Sequence, residues 1–138
     1  MKNVHHTFSR LMVLGVLFLL FAIPQGVSAY DGADPYFKVT DVTFYDGSCE
    51  ICGYFSNSGD MAAEMTKIEL SIDVKLNGEV LFTVTQTFDL NQLYVWGGAP
   101  YKTFSIDNNS FKSKYNGDEY GWTVNKHWWW KDVKPIGM

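Results

Sequence analysis

Arginine is nearly missing from this chain of 138 residues: Arg10 stands alone, accompanied by three histidines (His5, His6, His127) and two cysteines, Cys49 and Cys52. Long apolar runs are equally scarce, with one only, Leu11 to Ile23. Each shortage excludes something. Beyond residue 29, nine lysines face fifteen acids, a net charge of −6. Phosphate binding draws on clustered Lys and Arg, so nucleic acid is not an expected partner, nor is an anionic membrane surface. With His127 as the sole histidine after position 29, every Ser-His-Asp or Cys-His arrangement would have to use it. No glycine-rich phosphate loop is present. No catalytic residue, metal or cofactor is expected.

The apolar run gives the N-terminus its meaning. Lys2 and Arg10 precede thirteen apolar residues, Pro24 and Gln25 end them, and Val27-Ser28-Ala29 follows with small residues at the peptidase positions. That is the three-part pattern of a secretory signal. A membrane-spanning helix needs about 20 apolar residues, and this run falls short. The expected organisation is a signal helix over residues 1–29, removed after Ala29, and a single domain over residues 30–138. No transmembrane span remains after signal removal, and the expected location is the periplasm, the cell surface or the medium.

The rest reads as strands and turns. Ile68, Leu70, Ile72, Val74 and Leu76 alternate strictly with Glu69, Ser71, Asp73 and Lys75, the period of a half-buried strand. Asn77-Gly78 then signals a hairpin. A two-residue loop would pair Leu76 with Glu79 and turn Val80, Phe82 and Val84 to the wrong face. A three-residue loop, Asn77-Gly78-Glu79, pairs Leu76 with Val80, Val74 with Phe82 and Ile72 with Val84, so the parity argument selects it. Phe37, Val39, Val42 and Phe44 suggest a first strand with a bulge near Thr40-Asp41. Asp46-Gly47-Ser48 reads as a turn. Ile51 to Ser56, Tyr101 to Ile106 and Tyr120 to Asn125 read as further strands, and Met61 to Met65 is the one helical candidate. Six to seven short strands imply an all-β antiparallel sandwich, with an open barrel as the alternative.

The stretch Ile51-Cys52-Gly53-Tyr54-Phe55-Ser56-Asn57-Ser58-Gly59-Asp60 resembles the I-x-G-x-F-x-N-x-G-D strand and turn of small exported bacterial β-sandwiches. These are immunoglobulin-like domains of the FxLYD and S-layer-accessory kind. Lys67 to Leu76 and Lys102 to Ile106 fill the places of the strands that follow, so the resemblance covers about residues 37 to 107. The Tyr-Asp pair that closes the long strand in that family is replaced by Leu76-Asn77-Gly78. The resemblance implies an immunoglobulin-like, non-catalytic surface or periplasmic module and carries over no active-site residue.

Two features remain as candidate chemistry. Cys49-Glu50-Ile51-Cys52 is a possible disulfide or redox pair. In a regular strand, however, its thiols lie on opposite faces about 10 Å apart at Cα, beyond the reach of a disulfide. A redox-active CxxC also opens a helix, which Gly53-Tyr54-Phe55 does not make. Aromatics are the second feature, 23 of 138 residues. Trp128, Trp129 and Trp130 are consecutive, so in a strand at least one should face solvent. Trp96, Tyr94 and Tyr101 flank a Gly97-Gly98 loop. These six form the candidate binding surface, with another protein or a cell-surface polymer as partner. A thiol-disulfide protein and a carbohydrate-binding module are the alternatives.

Overall fold

The computed structural model describes residues 30–135, so the expected export signal over residues 1–29 lies outside the described residues. The period-two patterning becomes six strands: β1 (Pro35–Tyr45), β2 (Ser48–Asn57), β3 (Met61–Leu76), β4 (Glu79–Val95), β5 (Tyr101–Asp107) and β6 (Tyr120–Pro135). They form two three-stranded antiparallel sheets, ordered β1-β2-β5 and β4-β3-β6. A short 3-10 turn, Ser113–Asn116, links β5 to β6. Among the described residues, no helix is long and apolar enough to cross a membrane.

The core is where the alternation meets. Ile68, Leu70, Ile72 and Val74 of β3 are fully buried, and so are Phe37 and Phe44 of β1, Cys49, Ile51 and Phe55 of β2, and Ile106 of β5. Aromatic rings join the two sheets. Phe88 of β4 lies 4.9 Å from Phe104 of β5, and Phe111, in the connection after β5, contacts both Phe44 (6.0 Å) and Phe82 of β4 (5.8 Å). Burying each such side chain stabilises the fold by about 1.5–3 kcal/mol.

At one end of the molecule a polar clamp closes the layers. The Asn57 amide donates to the carbonyls of Met61 (2.7 Å) and Val95 (2.9 Å). Its oxygen accepts the N–H groups of Asp34 and Gly59, both at 2.9 Å. One side chain thus ties the start of β1, the β2–β3 turn, the start of β3 and the end of β4. Gly59 is required beside it, because a Cβ there would strike the Gly32 carbonyl. Asp60 completes the turn, accepting the N–H groups of Asp31 (3.0 Å) and Gly32 (2.9 Å). The Asn-x-Gly-Asp part of the sequence pattern is therefore a structural clamp.

Three expectations need correction. Met61 to Met65 is strand, the first part of β3. Residues there pair with β4 on one side and β6 on the other, and this tertiary pairing overrides a helical preference too short to stand alone. The β3–β4 loop has two residues, with Leu76 opposite Glu79 and with Asn77 and Gly78 both left-handed at φ 53° and 83°, the pairing that a primed hairpin turn requires. Val74↔Phe82 and Ile72↔Val84 nonetheless stand, because Leu81 is a bulged extra residue that restores parity. Val80 is left 52% exposed. Finally, the strand expected over Tyr120 to Asn125 runs on to Pro135 as β6, which places His127 within a paired strand, opposite Glu69. The two sheets replace the open-barrel alternative, and three of the six strands have 16 or 17 residues. The bulge expected near Thr40 is present, between Val39 and Asp41.

Two predictions follow from the clamp. Asn57→Ala should cost about 2–4 kcal/mol in a urea titration, since four partners lose their bond, whereas Ser58→Ala should stay within about 0.5 kcal/mol. Hydrogen bonds from the Asp31 backbone, then from Gly32, hold the Asp60 carboxyl below its ordinary pKa. A depressed folded value stabilises above the ordinary carboxylate range near 3.9 and is lost as pH falls through the lowered value. The stability gap between the native chain and Asp60→Asn should therefore be widest near neutrality and close in acid.

Candidate functional site

The outward face of the β4-β3-β6 sheet carries a local irregularity built by three strands. Lys67 pairs with Asp89 on β4, and the next register pair is Met65 with Leu93. Leu90, Asn91 and Gln92 therefore stand where β3 offers Thr66 alone. Leu90 is buried in the core. Asn91 and Gln92 are both left-handed, at φ 51° and 58°, a conformation uncommon outside glycine and concentrated at functional sites. The Asp89 side chain stabilises it by accepting the Asn91 N–H at 2.7 Å. On the other side, Thr66 donates its hydroxyl to the Trp129 carbonyl at 3.1 Å.

Rows across the sheet define what this face presents. Asp89, Lys67 and Trp129 form one row, and Tyr94, Glu64 and Lys131 form another. Trp129 is 41% exposed and Tyr94 53%. The His127 ring meets the Trp129 indole edge-on at 4.4 Å between centroids. Glu64 is buried, with the Lys131 ammonium 3.8 Å away. Two shallow depressions meet at Thr66. One of about 410 Å³ is lined by Lys67, Asp89, Asn91 and Gln92. The other, of about 400 Å³, is lined by the three tryptophans, His127 and Lys131. Because strands lie about 4.8 Å apart, residues on β4 and β6 in one row are roughly 10 Å apart. The face therefore offers two aromatic surfaces, Trp129 on β6 and Tyr94 on β4, in different rows and so farther apart than that, with carboxylate, ammonium and amide groups between them.

The structure brings together only part of the expected aromatic surface. Trp129 and Tyr94 share this face. Trp128 and Trp130 point the other way and pack half-buried against the core. Trp96 lies in the β4–β5 connection. Tyr101 belongs to the outward face of the other sheet, its hydroxyl 2.5 Å from that of Thr40. Asp89, Asn91, Gln92 and Thr66 were missed. The signal available was Asp89-Leu90-Asn91, an acid two residues before an asparagine, which favours a local turn.

Cys49 and Cys52 are both free. Cys49 faces the core of β2, and burial, then the neighbouring Glu50 charge, push its thiol up to about 12. Cys52 faces outward, its sulfur 3.4 Å from the Thr103 hydroxyl. The two thiols do not meet. Among the described residues, no three His, Cys, Asp or Glu side chains converge as a metal-binding set.

No family model matches the chain, and none of the curated proteins matches it. Among solved structures, the chain is similar to the Salmonella enterica trimeric lipoprotein SadB at 10% identity and a TM-score of 0.43. That similarity covers 91% of this chain and 75% of that one.

The thiol geometry makes a prediction. Native protein at neutral pH should take up one equivalent of a maleimide, at Cys52, and a second only in denaturant. Mass spectrometry counts the adducts, and two rapid native equivalents would contradict the buried position of Cys49.

Proposed function

We propose that this chain is an exported, non-catalytic module that works at the cell surface or in the periplasm by binding through the outward face of its β4-β3-β6 sheet. The observation that carries this reading is the double irregularity at Thr66. There, two left-handed non-glycine residues and an exposed indole are held beside one another by Asp89 and Thr66. Strain of this kind costs free energy and persists where the surroundings hold it in place.

The strand order supports an immunoglobulin-like reading. Sheets β1-β2-β5 and β4-β3-β6 correspond to strands A-B-E and C′-C-F of an immunoglobulin sandwich. The non-catalytic part of the reading draws on His127, the sole histidine after position 29, whose ring is engaged edge-on by Trp129 and stands opposite Glu69. A thiol-disulfide function draws no support from thiols on opposite faces of β2.

Within this reading a saccharide is the favoured ligand class. Trp129 and Tyr94 supply apolar ring faces on which a sugar can stack, and Asp89, Asn91, Gln92 and Lys67 supply the hydrogen bonds that orient its hydroxyls. A protein partner is the second reading, favoured by the enrichment of Trp and Tyr at interface hot spots.

Tryptophan fluorescence titrated with soluble cell-wall and capsular polysaccharides tests the saccharide reading. A saturable shift is expected, weakened roughly tenfold, about 1.4 kcal/mol, by Trp129→Ala, with a smaller loss for Tyr94→Ala. Trp96→Ala should bind normally. A ligand whose binding ignores Trp129, Tyr94 and Asp89 would remove this face from the proposal.

A further inference from the structure

The dipeptide Asn-Gly occurs twice, at Asn77-Gly78 and at Asn116-Gly117. It carries a reaction of its own. The glycine nitrogen can attack the asparagine Cγ, because glycine has no side chain to obstruct the approach. The N–Cγ bond forms, the Cγ–Nδ2 bond breaks, the glycine N–H proton passes to solvent and the amide leaves as ammonia. Water then opens the cyclic imide on one side or the other. Breaking the new N–Cγ bond gives aspartate. Breaking the original backbone C–N bond gives isoaspartate, with the chain now running through the side-chain carbons. Water is the only co-reactant.

The fold treats the two dipeptides oppositely. Asn116 ends the 3-10 turn, and both polar atoms of its amide are held. The nitrogen donates to the carbonyls of Phe44 (2.7 Å) and Ser113 (3.1 Å), and the oxygen accepts the Phe44 N–H at 2.9 Å. The nucleophile is engaged as well, since the Gly117 N–H donates to the Lys114 carbonyl at 3.0 Å. Ring closure at Asn116 must release these bonds first.

Asn77 and Gly78 form the exposed tip of the β3–β4 hairpin. Among the described residues, no hydrogen bond engages the Asn77 amide or the Gly78 N–H. Apart from its chain neighbours, no atom comes within 4 Å of where a Cβ on Gly78 would sit. Packing around the tip is thin, with Val80 52% and Leu81 47% exposed and Leu81 bulged out of the pairing. Turning the Asn77–Gly78 peptide for ring closure therefore disturbs little beyond the last pair, Leu76 with Glu79. Local opening costs least where few buried contacts hold the backbone.

We propose that Asn77 is a self-modification site, converted to aspartate and isoaspartate through attack by Gly78, and that the fold protects Asn116 from the same reaction. Each conversion adds a negative charge to a chain that carries −6 beyond residue 29. Isoaspartate also lengthens the backbone of a turn whose two residues are both left-handed.

The test incubates the full folded chain in mildly alkaline buffer for several weeks and maps its peptides by mass spectrometry, with electron-transfer fragmentation separating isoaspartate from aspartate. The amide-to-acid mass gain should accumulate at residue 77, with both products present. At residue 116 it should accumulate at least about tenfold more slowly, the protection that roughly two net hydrogen bonds supply. In guanidinium chloride the two dipeptides should react at similar rates. Asn77→Gly, which suits the same turn, should remove the signal from the hairpin peptide. A folded chain in which Asn116 reacts as fast as Asn77 overturns the proposal, and so does one in which Asn77 stays intact while the unfolded chain reacts. A difference between the two sites that persists undiminished in denaturant overturns it as well.

Discussion

Four hydrogen bonds to the side chain of Asn57 hold the arrangement on which the rest of the molecule depends. Hydrophobic burial draws the two sheets together, but burial has no direction and does not choose where a strand begins. Asn57 does. It fixes Met61 and Val95 beside one another and places Asp34 and Gly59 in the same knot. From that point β3 runs outward with Ile68, Leu70, Ile72 and Val74 all turned inward. A displacement by one residue would reverse every one of them.

The outward face depends on the same register. β4 leaves the Asn77-Gly78 turn with one surplus residue, Leu81, and approaches Val95 with two more, because three residues stand against Thr66. Since both ends of β4 are fixed, the excess length must be absorbed locally. It is absorbed as the left-handed pair Asn91-Gln92, at the level where Trp129 emerges from β6. The candidate site is thus a consequence of fitting a 17-residue strand to a shorter partner segment.

Much of the fold was legible because burial writes itself as alternation. Ile68 to Leu76 could be read directly, and the break in phase between Val39 and Val42 gave away the bulge at Thr40. The parity argument at the β3–β4 hairpin was sound in aligning Val74 with Phe82. It failed on loop length because a bulged residue and a longer loop leave the same trace in a pattern of period two. Met61 to Met65 misled for another reason: a central strand buried on both faces has no alternation to show, and Ala62, Ala63, Glu64 and Met65 are all buried. At the candidate site, three consecutive tryptophans announced that one must face outward. Asn91 gave only the weak notice of an asparagine two residues after an acid, and Gln92 gave none, since a left-handed glutamine is set by its neighbours more than by its own chemistry.

The Ala33 N–H donates to the Asp132 carboxylate at 2.8 Å, so the beginning of β1 and the far part of β6 emerge together at one pole. β3 starts at that pole and its 16 residues extend away for roughly 50 Å. The Asn77-Gly78 turn therefore lies at the opposite pole, while the Thr66 irregularity sits near the end that Asn57 clamps. Fraying that began at the clamped pole would thus reach the Thr66 face well before it reached the hairpin tip.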